Sequence, residues 1–285
     1  MKKLFLPFFF ILSLLFISSC NDSSGKKEEK ESMSADTTQK KQSNLKSEDV
    51  TYNTDSTEMK GYIVFDSTIA EKRPGVLVVH EWWGHNEYTR KRADMLAELG
   101  YVAMAVDMYG NAREASHPKD AKKFSKSVMS NFDEAKNRFR EAMKTLKENP
   151  NVDAEQIAVI GYCFGGSVAL SMANTGMDLD AVAAFHSGLQ LPVDPKQDSV
   201  KAKILICNGA DDPFVPQEQV DAYKAKMDEA GANYEYIAYD GVVHAYTNPN
   251  ATKLGEKFDM PLKYDEEADK KSWEELKVLL RSTFD

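Results

Sequence analysis

A cysteine set among glycines is the first place where the spacing of this sequence suggests chemistry. Gly161-Tyr162-Cys163-Phe164-Gly165-Gly166 has the form small-x-nucleophile-x-small. The glycines matter because a nucleophile held on a sharp turn leaves no room for a Cβ on either side. A thiol so placed suits acyl transfer, provided a base stands beside it and a third group orients the base. Two later segments supply such groups: Asp211-Asp212-Pro213-Phe214-Val215-Pro216 and Asp240-Gly241-Val242-Val243-His244. Asp211 and Asp212 compete for the orienting role, and Asp211 also reads as a turn residue ahead of Pro213. Taken alone, the glycine-rich segment reads equally well as a helix start around a buried structural cysteine.

These groups can meet only if the elements between them bring their loops together. Short apolar runs bounded by turn residues alternate with longer helical patterns, which predicts an α/β fold: a doubly wound, mostly parallel sheet with helices on both faces. Strands are expected over 61–65, 75–80, 101–106, 157–160, 181–185, 203–207 and 234–239, and helices over 88–99, 131–149, 167–174, 217–230 and 272–280. Phe132, Ala135, Phe139, Met143 and Leu146, for example, recur every three or four residues. Cys163 falls between a strand and a helix, where the positive end of the helix favours thiolate. Asp212 and His244 fall in loops after successive strands, at the carboxyl ends where open sheets bind ligands.

The order nucleophile, acid, histidine is that of the α/β-hydrolases. With cysteine at the elbow, the D-x-F-V-P pattern at 212–216 and Glu81 after an early strand, the chain from about Lys60 to its last helix resembles the dienelactone hydrolase family. That resemblance implies Cys163 as nucleophile, His244 as base, Asp212 as the orienting acid, and Glu81 as a partner that hydrogen-bonds the resting thiol. The backbone N–H groups of Trp82 and Phe164 are the expected oxyanion donors. Trp83, Tyr109 and Tyr246 are candidates for an aromatic pocket. In the family two arginines hold the substrate carboxylate; Arg113 is the candidate for the first, whereas the second position is Asn248. The implied activity is hydrolysis of an ester or lactone through an acyl-thioester, on a substrate other than a compact anionic dienelactone. The alternative is a non-catalytic lipoprotein that uses the fold as a binding module.

His80-Glu81-Trp82-Trp83-Gly84-His85 superficially suggests a metal site, but its histidines are not at i and i+4 of a helix. No metal and no cofactor are expected. His85 and His117 read as loop residues, and His186 as a strand-end residue that lines the site or is structural. Cys207 lies in an apolar strand and reads as a buried free thiol. A Cys163–Cys207 disulfide is the competing reading if the chain meets an oxidising compartment.

The 285 residues carry 45 acidic and 36 basic side chains, a net charge of −9, which argues against nucleic acid as a partner. Met1-Lys2-Lys3, an apolar run from Leu4 to Ile17 and Ser18-Ser19-Cys20 have the basic, apolar and small-residue order of a signal peptide over 1–19. The run is shorter than the roughly 20 residues of a spanning helix. Ile17-Ser18-Ser19-Cys20 resembles a bacterial lipobox, which implies a lipid anchor on Cys20 and an exported protein held at a bacterial membrane, on its periplasmic or cell-surface side. Residues 20–49 are almost wholly polar and are expected as a disordered tether. The hydrolase-like domain is expected over 50–285.

Overall fold

The computed structural model describes residues 43–285. The expected signal peptide, Cys20 and most of the expected tether lie outside the described residues. The end of that segment is ordered: β1 (Leu45–Asn53) runs antiparallel to β2 (Glu58–Asp66), with Leu45 opposite Asp66 and Asn53 opposite Glu58. The domain therefore begins before residue 50. β1 is an edge strand in which Tyr52 alone is fully buried, so it shows no alternating apolar signal. Tyr52 ties it to the sheet, its hydroxyl donating to Asp107 O at 3.2 Å and accepting from Asp107 N at 2.9 Å.

β3 (Arg73–Val79), β4 (Val102–Val106), β5 (Val152–Tyr162), β6 (Ala181–Phe185), β7 (Lys203–Gly209) and β8 (Tyr234–Tyr239) complete an eight-stranded sheet ordered β1-β2-β4-β3-β5-β6-β7-β8. β2 and β4 are antiparallel, and every pairing from β4 through β8 is parallel. Parallel neighbours require crossovers, and α1 (Glu87–Glu98), α2 (Pro118–Ser130), α3 (Phe132–Lys147), α4 (Phe164–Asn174) and α5 (Gln217–Glu229) lie in them. α6 (Ala251–Phe258) and α7 (Glu266–Phe284) follow β8.

Side-chain alternation along the strands sorts these helices between the faces. Val76 and Val78 of β3 pack with Leu96 of α1 and Leu276 and Leu280 of α7. Leu77 and Val79 point the other way, into a core shared with Phe139 and Leu146 of α3, Val168 of α4 and Met227 of α5. Full burial of each such side chain is worth about 1.5–3 kcal/mol.

The chain leaves β3 for β4 on one side and returns to β5 on the other. That reversal opens a crevice at the carboxyl ends of β3 and β5, the usual ligand position in such sheets. Periodicity does not predict α2 or α6. α2 buries only Ala121 and Val128, and its start is set locally, by Pro118 in the first turn and by His117, whose Nδ1 accepts from Lys119 N at 3.1 Å. His117 is thus a helix cap rather than a plain loop residue. α6 has eight residues and buries only Ala251 and Gly255.

Candidate active site

Cys163 sits between β5 and α4 with φ 53° and ψ −116°, a conformation that side-chain-bearing residues rarely adopt and that costs on the order of 1–3 kcal/mol. The turn is closed by Cys163 N donating to Phe185 O at 2.9 Å and by Cys163 O accepting from Gly166 N at 3.0 Å. A Cβ on Gly161 would lie 2.1 Å from Gly165 O, and one on Gly165 would lie 2.3 Å from Val79 O. The glycines therefore let α4 press against the ends of β3 and β5, which holds the thiol up at the crevice.

The histidine and acid arrive from the loops after β8 and β7. His244 Nε2 is 3.1 Å from Cys163 Sγ, and its Nδ1 is 2.6 Å from Asp212 Oδ2. The other oxygen of Asp212 accepts from Phe214 N at 2.9 Å. Asp212 is buried, whereas Asp211 is exposed, so the geometry selects Asp212. Burial opposes charge on His244, but the neighbouring Cys163 and Asp212 outweigh it and push its pKa up to about 10. Nδ1–H is held by the carboxylate, which turns Nε2 toward sulfur.

A cavity of about 710 Å³ opens over this group, lined by Trp82, Cys163, Phe164 and His244 at the reactive end and by apolar residues such as Leu191 and Leu262 beyond it. The backbone N–H groups of Trp82 and Phe164 have no hydrogen-bond partner among the described residues. Phe164 follows Cys163 directly, and Trp82 lines the same cavity.

Residues 59–284 match the family model described as the dienelactone hydrolase family. The chain belongs to that family. The protein usf of Aquifex pyrophilus is 29% identical over 204 residues, spanning 70% of this chain and 86% of that protein. A putative carboxymethylenebutenolidase of Aquifex aeolicus is 28% identical with the same coverage. Among solved structures, m3DLH aligns with a TM-score of 0.79 at 30% identity, covering 85% of this chain and 99% of that one. A dienelactone hydrolase-like promiscuous phosphotriesterase from metagenomic libraries aligns with a TM-score of 0.77 at 29% identity and the same coverage.

This dienelactone hydrolase family member departs from the expected site in several places. Glu81 does not bond the thiol; its Oε2 accepts from Asn248 Nδ2 at 2.5 Å. Burial raises the Glu81 carboxyl to about 7, although Asn248, His244 and Arg92 all pull it down. Trp83, Tyr109, Arg113 and Tyr246 do not line the cavity. Trp83 is buried against Phe258, with ring centroids 6.1 Å apart. The Tyr109 hydroxyl donates to Trp82 O at 2.9 Å, bracing the loop that carries a free N–H. The Arg113 guanidinium lies 5.1 Å from the ring centre of Phe124. Tyr246 is fully buried and its hydroxyl needs an acceptor there, which Cys207 O provides at 3.1 Å.

The histidines other than His244 have separate partners. His80 Nδ1 donates to Glu81 O at 2.6 Å, because its Nε2 accepts from Met108 N, and His85 Nε2 meets Ala105 O at 3.2 Å. His186 is buried, with Nε2 2.7 Å from Thr247 Oγ1 and its ring 5.3 Å from that of His244. Cys163 and Cys207 are both free thiols. Burial pushes Cys207 up to about 12.

The reading from sequence missed the far wall of the cavity. Lys122, Ser125, Lys126 and Met129 come from α2, and Gln190 to Pro192 from the loop after β6. The α2 residues do carry a signal, since they recur at i, i+3, i+4 and i+7 on one helix face. The loop residues carry none.

Proposed function

We propose that this protein hydrolyses an ester or lactone through an acyl-thioester on Cys163. The carrying observation is the continuous chain from Cys163 Sγ to His244 Nε2 at 3.1 Å and from His244 Nδ1 to Asp212 Oδ2 at 2.6 Å, at one end of a cavity large enough for a substrate. Attack passes the thiol proton to His244, whose pKa the neighbouring Cys163 and Asp212 raise to about 10. The sulfur attacks the substrate carbonyl, and the developing oxyanion takes the N–H groups of Trp82 and Phe164. Collapse breaks the ester C–O bond, and His244 delivers its proton to the leaving alkoxide. A water then enters, gives a proton to His244 Nε2 and attacks the thioester carbon. The second tetrahedral intermediate expels the thiolate and releases the acid. Asp212 keeps the imidazole in one tautomer and orientation throughout.

Glu81 does not contact the reacting atoms in this scheme. It lies against Asn248, four residues after His244, and fixes the loop that carries the base.

A panel of activated esters and lactones, run on the wild type and on Cys163→Ala, Cys163→Ser and His244→Ala, tests this reading. Expected is a loss of at least about a thousandfold in kcat for Cys163→Ala and His244→Ala, given how steeply triad members depend on one another. Equal turnover across the set would overturn this mechanism, and no turnover by any of them would favour a binding module.

A further inference from the structure

The substrate cavity carries a charge pattern opposite to that of the molecule. The chain has a net charge of −9, yet no Asp or Glu lines the cavity, and apart from Cys163 and His244 its ionisable lining residues are Lys122 and Lys126. Both belong to α2, on the stripe Lys122, Ser125, Lys126, Met129 and Ser130 that faces the cavity over about 12 Å of helix. Lysines at i and i+4 repel one another. The usual remedy is a carboxylate one turn away, as α3 shows with Lys136–Asp133, Arg138–Glu134 and Lys144–Glu141. α2 lacks it here: the positions three and four residues from Lys122 and Lys126 are Pro118, Lys119, Lys123, Ser125, Met129 and Ser130, besides the two lysines themselves. Neither lysine forms an ion pair among the described residues.

Two groups outside the lining are engaged elsewhere, and Gln190 is the amide side chain on it. Arg113 lies over Phe124, on the α2 side away from the lining stripe, and Asn248 holds Glu81. The cavity volume, about 710 Å³, lies within the roughly 300–1,000 Å³ that encloses drug-sized ligands and exceeds the needs of a compact lactone. Its wall also includes the apolar Met129, Leu191, Pro192 and Leu262.

We propose that Lys122 and Lys126 select the substrate: an extended, largely apolar ester that bears an anionic group at the end remote from the scissile carbonyl. The apolar middle lies along Met129, Leu191 and Pro192, and the distal anion reaches the two ammonium groups. This rests on the hydrolase reading above, because it assigns the far end of the same cavity. Both lysines are exposed, so the attraction is partly screened and weakens as salt is added.

Two activated esters of matched length test it: para-nitrophenyl hexanoate and the mono-para-nitrophenyl ester of adipic acid, which differ by a terminal carboxylate. The quantity read is the ratio of their kcat/KM values, anionic over neutral. In the wild type the ratio exceeds one and falls with added salt. In Lys122→Gln/Lys126→Gln it drops about tenfold through KM, the size expected when two partly screened charge contacts are lost. Lys122→Arg/Lys126→Arg preserves it. A wild-type ratio at or below one, or an unchanged ratio in the glutamine variant, overturns the assignment while leaving the hydrolase reading intact. No Cys163-dependent turnover of either ester would count against both.

Discussion

Glu81 is an acid held where acids lose charge, and the cost is measurable. Its carboxyl titrates near 7 in the folded chain against an ordinary value of 4.5, with burial as the main cause. A raised folded pKa means that the folded state retains a proton the unfolded chain gives up. Stability is therefore full below about 4.5 and declines as pH rises toward 7. Glu81→Gln keeps a carbonyl for Asn248 and removes the titration. Expected in urea unfolding is little change near pH 4.5 and a gain of about 2–3 kcal/mol near pH 8; an equal effect at both pH values would contradict the assignment. At this scale the sequence marked Cys163, Asp212 and His244, and preferred Asp212 to Asp211 by its spacing from Phe214-Val215-Pro216. Burial and the 2.6 Å contact to His244 separate the two neighbours in space. Glu81 was visible as a residue, yet its partner was not, because a thiol and an amide are equally reachable on paper.

The loop bearing His244 is held by α1 and α7. Arg92 of α1 donates to Thr247 O at 2.6 Å and pairs with Asp269 of α7 at 2.6 Å. The Tyr88 hydroxyl, Thr247 Oγ1 and His186 Nε2 form a second chain at 2.6 and 2.7 Å. Arg92 is 4% exposed, so truncating it leaves Asp269 without its cation in a largely buried setting. Arg92→Leu is expected to lose about 3–5 kcal/mol of unfolding free energy. Arg92→Leu/Asp269→Leu is expected to recover part of that loss, since the orphaned charge is gone. A double variant as unstable as the sum of the two singles would show that the pair is not the cause. The elements themselves were legible to unequal degrees. β6 falls where periodicity puts it because buried parallel strands read as continuous apolar runs, whereas β8 is a half-exposed edge strand marked by Tyr234, Tyr236, Ile237 and Tyr239. β1 and α2 escaped because one is a polar edge and the other turns lysines and serines toward a cavity.

Across the whole molecule, the reversal of strand order at β3 brings together loops that are far apart in sequence: Trp82 after β3, Cys163 after β5, Asp212 after β7 and His244 after β8. The architecture was readable from alternating strands and helices, because each βαβ unit is specified locally. The substrate cavity was not, because its far wall comes from α2, the loop after β6 and the segment after α6, including Met260 and Leu262, none of which has a pattern tied to the nucleophile. The proposed acyl-thioester is the point on which residues, loops and cavity converge. It is tested most directly by rapid-quench intact-mass spectrometry with an activated ester, followed by peptide mapping. The expected result is a pre-steady-state mass gain equal to the acyl group, located on the peptide containing Cys163 and absent from Cys163→Ala. Steady turnover with no acyl adduct, undiminished in Cys163→Ala, would contradict it.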